Sequence, residues 1–565
     1  MTYPLPRRAF LKQTAKAAAV AGLAGCGPLL QGCFSKRQFD LVIKNALVYD
    51  GLGGPPAQAD LAIRGDLIKK IGRVRASQAR AVIDAQGLAV SPGFIDVHDH
   101  SDISLLANPR AESLVHQGIT LVVSGQCGSS PFPIAEATVE EEKETIKTLY
   151  EIDLDWTDLA GFFSRLETSG IAMNYATLVG HGSIRGAVMG LRDRRPTPQE
   201  LKRMVLLVEE CIRGGAFGIS TGLEYAPGSF SGIDELVELC RAASANGAVY
   251  ATHLRDEGDL LLESLEEAIE TARLSGIRLQ ISHLKAAYPR NWGKLGAALA
   301  KIEQAKEDGV DIFCDRYPYI AGSTGLSLYF PMWSKEGTTD EFIRRLQDPE
   351  LDPKLRTHLA SQEEKIGSWD KILLSSIPSE KNRYLQGMTV LAAAGQTGKK
   401  PYDFMRDLLI EEKTMVGMIA FVMDEDNLKK VLAHPLVGVG CDGSAVAPYG
   451  ILSRGRPHLR NYGTFPRILG KYIREEKIVL PEEMIRKITS VPASRFGFEG
   501  RGVIRPGAFA DLVIFDPERI ADRATWVEPH QYPIGIEYVI VNGQVVIQGG
   551  EHSGQLPGRV LKKKA

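Results

Sequence analysis

From about residue 92 to residue 440 the chain alternates short apolar runs with longer amphipathic stretches. The apolar runs are Phe94–Val97, Thr120–Val123, Tyr175–Val179, Gly218–Ser220, Val249–Thr252, Arg278–Ser282, Asp311–Asp315 and Val437–Gly440. Their length and their bracketing by turn residues read as buried strands. Helical periodicity lies between several of them. Ser264–Ser275, for instance, places Leu265, Ala268, Ile269 and Ala272 on one face. Eight strands alternating with helices predict an α/β fold, a (β/α)8 barrel of the TIM-like kind. The seventh and eighth strands are too far apart for one crossover. The pattern therefore predicts an insertion at about 322–383 and a further helix near Tyr402–Glu412.

Both ends of the chain read differently. Leu41–Ile43, Ala46–Tyr49, Leu61–Ile63 and Ile68–Val74 are strand-like and separated by glycine turns such as Asp50-Gly51-Leu52-Gly53-Gly54. Near the C-terminus, Asp511–Phe515 is strand-like, and Tyr538–Val541 and Gln544–Ile547 flank Asn542-Gly543, a strong two-residue hairpin signal. The expected organisation is a leader over 1–33, a small β-sandwich domain built from 38–91 and 498–560, and a barrel over 92–497.

Composition narrows the class. Of 565 residues, 44% are hydrophobic and 24% charged, the balance of a globular protein, and the formal net charge is −2. That charge gives no pull toward nucleic acid. Two of the seven cysteines, Cys26 and Cys33, fall in the leader, and the other five are too scattered for a disulfide framework. The leader itself has Arg7-Arg8-Ala9-Phe10-Leu11-Lys12 followed by a short apolar run, the form of a twin-arginine signal peptide. Leu23-Ala24-Gly25-Cys26 has the form of a lipoprotein cleavage box, with Leu30-Gln31-Gly32-Cys33 a weaker copy. The expectation is export, to the periplasm or to a lipid anchor at the cell envelope.

Barrel enzymes carry their reacting groups just beyond the C-terminal ends of the strands. Here His98 and His100 follow the first strand, Cys127 the second, His181 the third, Tyr225 the fourth, His253 the fifth and His283 the sixth. Asp315 and Tyr317 close the seventh, and Asp442 follows the eighth. The chain has 11 histidines in all, so this placement is not an accident of abundance. His98 and His100 lie two apart on an extended segment and share a face. Imidazole, thiolate and carboxylate together favour zinc over magnesium or calcium.

With these residues in place, the chain resembles the amidohydrolase superfamily of metal-dependent hydrolases, through Pro92-Gly93-Phe94-Ile95-Asp96-Val97-His98-Asp99-His100, the later histidines and Asp442. More narrowly it resembles the N-acyl-D-amino-acid deacylases. The narrowing stretch is Val122-Val123-Ser124-Gly125-Gln126-Cys127-Gly128, where a cysteine stands in place of the carboxylated lysine of many superfamily members. Tyr317-Pro318-Tyr319-Ile320-Ala321-Gly322-Ser323-Thr324 and Tyr462-Gly463-Thr464-Phe465-Pro466-Arg467 extend the likeness, which runs from about residue 39 to 561.

The resemblance implies a zinc-dependent cleavage of N-acyl-D-amino acids. It implies a tight metal site at Cys127, His253 and His283, with His98 and His100 contributing to a second, weaker or empty one, and it leaves open whether one zinc or two are bound. It makes Asp442 the general base and acid and counts it among the metal-binding residues. It assigns Lys285, Tyr317 and Arg460 to the substrate α-carboxylate and Tyr225 to the pocket wall, and it leaves His181 behind the ligands. One departure is Cys441-Asp442-Gly443, where the resemblance leads us to expect serine before the aspartate; the simplest reading makes Cys441 a small buried substitute for that hydroxyl. Gly325–Trp333 is apolar and carries no arginine, so neutral or hydrophobic D-side chains are expected. The alternatives are a hydantoinase- or dihydroorotase-like hydrolase of cyclic amides, against which Cys127 speaks, and a non-catalytic exported relative. Oligomeric state and acyl group stay open.

Overall fold

The computed structural model describes residues 37–564, apart from 137, 245 and 246; the expected leader, 1–33, lies outside them. Eight parallel strands form the barrel: Phe94–Asp96, Ile119–Ser124, a third in two pieces (Asn174–Thr177 and Val179–Gly180), Gly218–Gly222, Val249–His253, Arg278–Ile281, Ile312–Arg316 and Val437–Val439. They pair in parallel in two arcs, of three and six strand segments, that meet at Leu178. The circle closes beyond the first and last strands. There Asp99 bridges Gly443 in parallel, Asp442 N donates to His98 O (2.7 Å) and His100 N donates to Gly443 O (2.7 Å).

The two-residue period of the strands sorts their side chains. Ile95, Val97, Leu121, Val123, Ala176, Val249 and Ala251 pack together in one cluster. Their neighbours Phe94, Val122, Tyr175 and Tyr250 join a second cluster with helical residues such as Phe162, Leu265 and Ile269. A barrel strand is buried on both faces, which is why these segments read as continuous apolar runs.

Strands from both chain ends are hydrogen-bonded as one nine-stranded sheet. Ala89–Pro92, the last strand before the barrel, pairs antiparallel with Leu512–Phe515, the first after it. The Asn542-Gly543 turn forms as expected, both residues having positive φ (47° and 79°) and Val541 pairing with Gln544. A Cβ on Gly543 would lie 2.0 Å from Gly65 O, so only glycine fits.

Between the seventh and eighth strands a separate layer is built. Gly322–Gly325 and Ile372–Ser376 both pair antiparallel with Gly417–Ala420, with helices Thr339–Gln347 and Asp352–Ile366 between the first two. The expected insertion, about 322–383, covers two of these three strands. The expected further helix spans Pro401–Glu411. Tyr329, Trp369, Leu355 and Phe404 form this layer's core, which extends to Tyr288 and Tyr317 at the barrel mouth. No helix among the described residues is long and apolar enough to cross a membrane.

Candidate active site

The side chains just past the barrel strands converge on Cys127. Its Sγ lies 3.4 Å from His98 Nε2, 3.7 Å from His253 Nδ1 and 3.7 Å from His283 Nε2. Zn–S and Zn–N bonds of about 2.3 and 2.0–2.1 Å at a tetrahedral angle place sulfur and nitrogen ~3.6 Å apart. The donor set and its spacing therefore fit a zinc ion. Donor atoms of His98, Cys127, His283 and Asp442 all lie within 4.8 Å of one another, as do those of His253, Glu257 and His283. Across the cluster Asp442 Oδ1 lies 3.1 Å from His100 Nε2 and 3.4 Å from His98 Nε2.

Local backbone geometry aims these groups. Cys127, His283 and Asp442 all have positive φ (51°, 35° and 52°), a region that side-chain-bearing residues seldom enter. Such strain clusters where surrounding structure holds a functional geometry. At Cys127 the surroundings are two glycines in close approach: a Cβ on Gly222 would lie 2.1 Å from Cys127 O, and one on Gly128 would lie 2.6 Å from Gly222 N.

Three of the imidazoles face a carboxylate on their far side. His98 Nδ1 lies 3.3 Å from Asp315 Oδ1, His253 Nε2 lies 2.9 Å from Glu224 Oε2, and His283 Nδ1 lies 2.9 Å from Glu257 Oε1. This arrangement fixes the tautomer and raises ligand basicity. Glu224 and Glu257 were not singled out by sequence reasoning. Glu257 stands four residues after His253, whereas Glu224 stands in the Gly222–Tyr225 segment, 29 residues before the histidine it meets, with no local signal tying the two together.

The charges report the same demand for a cation. Burial opposes ionisation of Cys127, but His98 and the hydrogen bonds from His100, His253 and His283 outweigh it and hold the thiol well below its usual range. Burial likewise opposes ionisation of Asp442, and Arg460, His283, His98 and His100 hold it well below the carboxylate range. In return His98 and His253 lie well above the ordinary histidine value despite burial, and His100 is raised to about 9. The buried thiolate and carboxylate thus call for compensating positive charge at this place, which is what a metal ion supplies.

The remaining expected residues line the same cavity, of about 1060 Å3. Tyr225 packs edge-on against His253, with ring centroids 4.9 Å apart. Lys285 is paired with Glu257 and lies 2.9 Å from His283 Nδ1. Arg460 donates to Asp442 Oδ2 (2.7 Å) and lies over the Tyr317 ring (4.9 Å). Both cations are thus tied to site residues while facing the cavity. His181 is buried away from the donor cluster against Glu235 (2.8 Å). Cys441 is fully buried; its N–H donates to Asp96 Oδ1 (2.9 Å) and its thiol faces the same carboxylate. It supports the first strand and does not join the donor cluster.

Comparison with known proteins agrees with this geometry. A family model described as "Amidohydrolase family" matches residues 426–547. A D-aminoacylase of Alcaligenes xylosoxydans xylosoxydans is 36% identical over 531 residues, 94% of this chain and 99% of that one. The chain belongs to the D-aminoacylase family. An N-acyl-D-glutamate deacylase of the same organism is 34% identical over 94% of this chain and 98% of its own length. Among solved structures, the N-acyl-D-glutamate deacylase of Bordetella bronchiseptica is 34% identical, with a TM-score of 0.79 over 93% of this chain and all of that one. It was solved with zinc and a phosphonate inhibitor described as a mimic of the tetrahedral reaction intermediate.

Proposed function

We propose that the protein hydrolyses the amide bond of N-acyl-D-amino acids, releasing a D-amino acid and a carboxylate, with zinc held at Cys127. The observation that carries this reading is the Cys127 thiol set among His98, His253 and His283 and facing Asp442. Cys127, His253 and His283 would hold the tight ion, and His98, His100 and Asp442 surround the place of a second. When bound, zinc acidifies water and polarises the scissile carbonyl. Asp442, kept ionised by Arg460, is placed to take the proton of the attacking water on Oδ1 and to return it to the departing nitrogen. Tyr317, Lys285 and Arg460 lie together on the wall where an α-carboxylate would be held.

Neutral side chains fit the cavity best. Leu328, Met418, Ala420 and Val422 supply an apolar wall. Besides Lys285 and Arg460, the lysine and arginine residues lining the cavity are Lys365, which lies 3.7 and 3.6 Å from Asp256 and Asp259, and Arg192, 3.6 Å from Glu341. Lys365 already faces two carboxylates, and Arg192 faces one. Hydrolysis of paired N-acetyl-D- and N-acetyl-L-methionine by the zinc-loaded protein tests the whole reading, with release of methionine from the D-form alone expected. Efficient turnover of N-acetyl-D-glutamate with poor turnover of the methionine derivative would overturn the side-chain assignment.

The leader motifs support export as part of the same reading. A reporter carrying residues 1–36 should be exported, and replacing Arg7 and Arg8 by lysine should stop it; export unaffected by the replacement would remove the twin-arginine assignment.

A further inference from the structure

The cavity is larger than a small N-acetylated amino acid requires. Pockets that enclose a whole drug-sized ligand measure about 300–1,000 Å3, and this one measures about 1060 Å3. Part of the lining, an arm beyond Cys127 and Gly128, is contributed by two helices, His181–Met189 and Val139–Tyr150. The first contributes Gly186 and Ala187, with Gly190 just beyond its end. A Cβ added at Gly186 or Gly190 meets nothing within 4 Å, so there is open space beside each. The second contributes Thr145, Ile146 and Leu149.

Several apolar side chains stand among polar ones on these walls. Ile103, Ile134 and Ile146 line the cavity, and Leu149 is 38% exposed, one of the larger apolar side chains left open to solvent. An apolar surface kept wet inside a cavity is a place where an apolar group gains by binding. Charge at the rim is mainly acidic: Glu141, Glu142 and Glu341 line it, with Arg192 lying 3.6 Å from Glu341. Burial and the neighbouring Glu141 push the Glu142 carboxyl above the usual range. Carboxylates in that position disfavour an anionic acyl group and leave an uncharged chain unaffected.

We infer that this arm receives the acyl part of the substrate, and that the protein prefers D-amino acids carrying an uncharged aliphatic acyl chain of about octanoyl length over N-acetyl derivatives, with Gly186 setting the room available. The inference rests on the deacylase reading above. Gly186 lies within a helix, where glycine is disfavoured, and its backbone is in the ordinary negative-φ range, so a larger residue there is compatible with the helix. Gly190 has a φ of +63° and lacks that tolerance.

The test is the ratio of kcat/KM for N-octanoyl- to N-acetyl-D-methionine, measured on the zinc-loaded full chain and on Gly186→Ala and Gly186→Leu. The wild-type ratio should exceed ~10, since a single methylene in an apolar pocket is worth about that much or more. Gly186→Leu should lower the ratio about tenfold and Gly186→Ala less, with circular dichroism confirming that both fold. A wild-type ratio at or below one overturns the inference and leaves the deacylase reading intact, as does a ratio untouched by Gly186→Leu. Hydrolysis of neither D-substrate by protein with zinc bound overturns both.

Discussion

Asp442 is held from three directions: Arg460 on Oδ2, His100 and His98 on Oδ1. Its replacement by asparagine keeps the shape and removes the base. Asp442→Asn should therefore lower kcat by about 10²–10⁴-fold, the usual share of general acid–base catalysis, while zinc at Cys127 is retained on metal analysis. Loss of both together would make Asp442 chiefly a metal ligand. Glu224 acts one step further out, through the far nitrogen of His253. Glu224→Gln keeps an acceptor but loses the charge, so zinc affinity should fall about 10–100-fold in a competition titration; an unchanged affinity would mean His253 needs no such partner. The histidines and the cysteine of the donor cluster were legible in the sequence because each is a rare residue type at or just beyond a strand end. Glu224, Glu257 and the left-handed backbone at Cys127, His283 and Asp442 were not, since acids are common and φ leaves no mark on composition.

Between elements, the sheet from the chain ends is fastened to the barrel by a buried polar seam. Arg501 pairs with Asp511 and donates to Asn542 Oδ1 (3.0 Å), Asp511 accepts from Asn542 N (2.7 Å), and Asn542 Nδ2 donates to Asn174 Oδ1 (2.8 Å) on the third barrel strand. Arg501→Ala strands a buried carboxylate, so it should cost about 3–5 kcal/mol in urea unfolding; a loss under ~1 kcal/mol would show that Asp511 finds solvent. A second contact is sensitive to pH. His552, on the strand Glu551–His552, approaches Arg110 O (3.1 Å), and burial, with the charge of Arg110, lowers its pKa to about 4 from 6.5. Between those values the unfolded chain holds a proton that the folded chain lacks, so stability falls as pH drops through this window and levels off below it. The difference in melting temperature between wild type and His552→Gln should therefore change from pH 6.5 to 4 and be flat above 6.5. None of these pairings was readable beforehand: strand periodicity located the elements, but nothing local to Asp511 names Arg501 or Asn174 as its partner.

At the scale of the whole molecule, the barrel was legible because buried parallel strands are short apolar runs that recur at crossover spacing, and its site was legible because the fold gathers the residues just past each strand end. The layer starting at Gly322 was harder. Its middle strand, Gly417–Ala420, lies about forty residues after Ile372–Ser376, and only the pairing shows that they belong together. The same gathering makes a strong claim about stability. Cys127 and His283 follow the second and sixth strands and His253 ends the fifth, so one ion held by them would join widely separated parts of the barrel and exist only when the barrel is closed. A ligand that binds only the folded state stabilises it by ~2.7 kcal/mol at a free concentration one hundred times its Kd. Stripping zinc with a chelator should lower the melting temperature, and restoring zinc should raise it in proportion to the logarithm of its free concentration. Cys127→Ala should melt at one temperature with or without zinc. A melting temperature for the native protein that ignores zinc, with zinc bound on metal analysis, would mean that the closed barrel supplies its own stability and the ion serves chemistry alone.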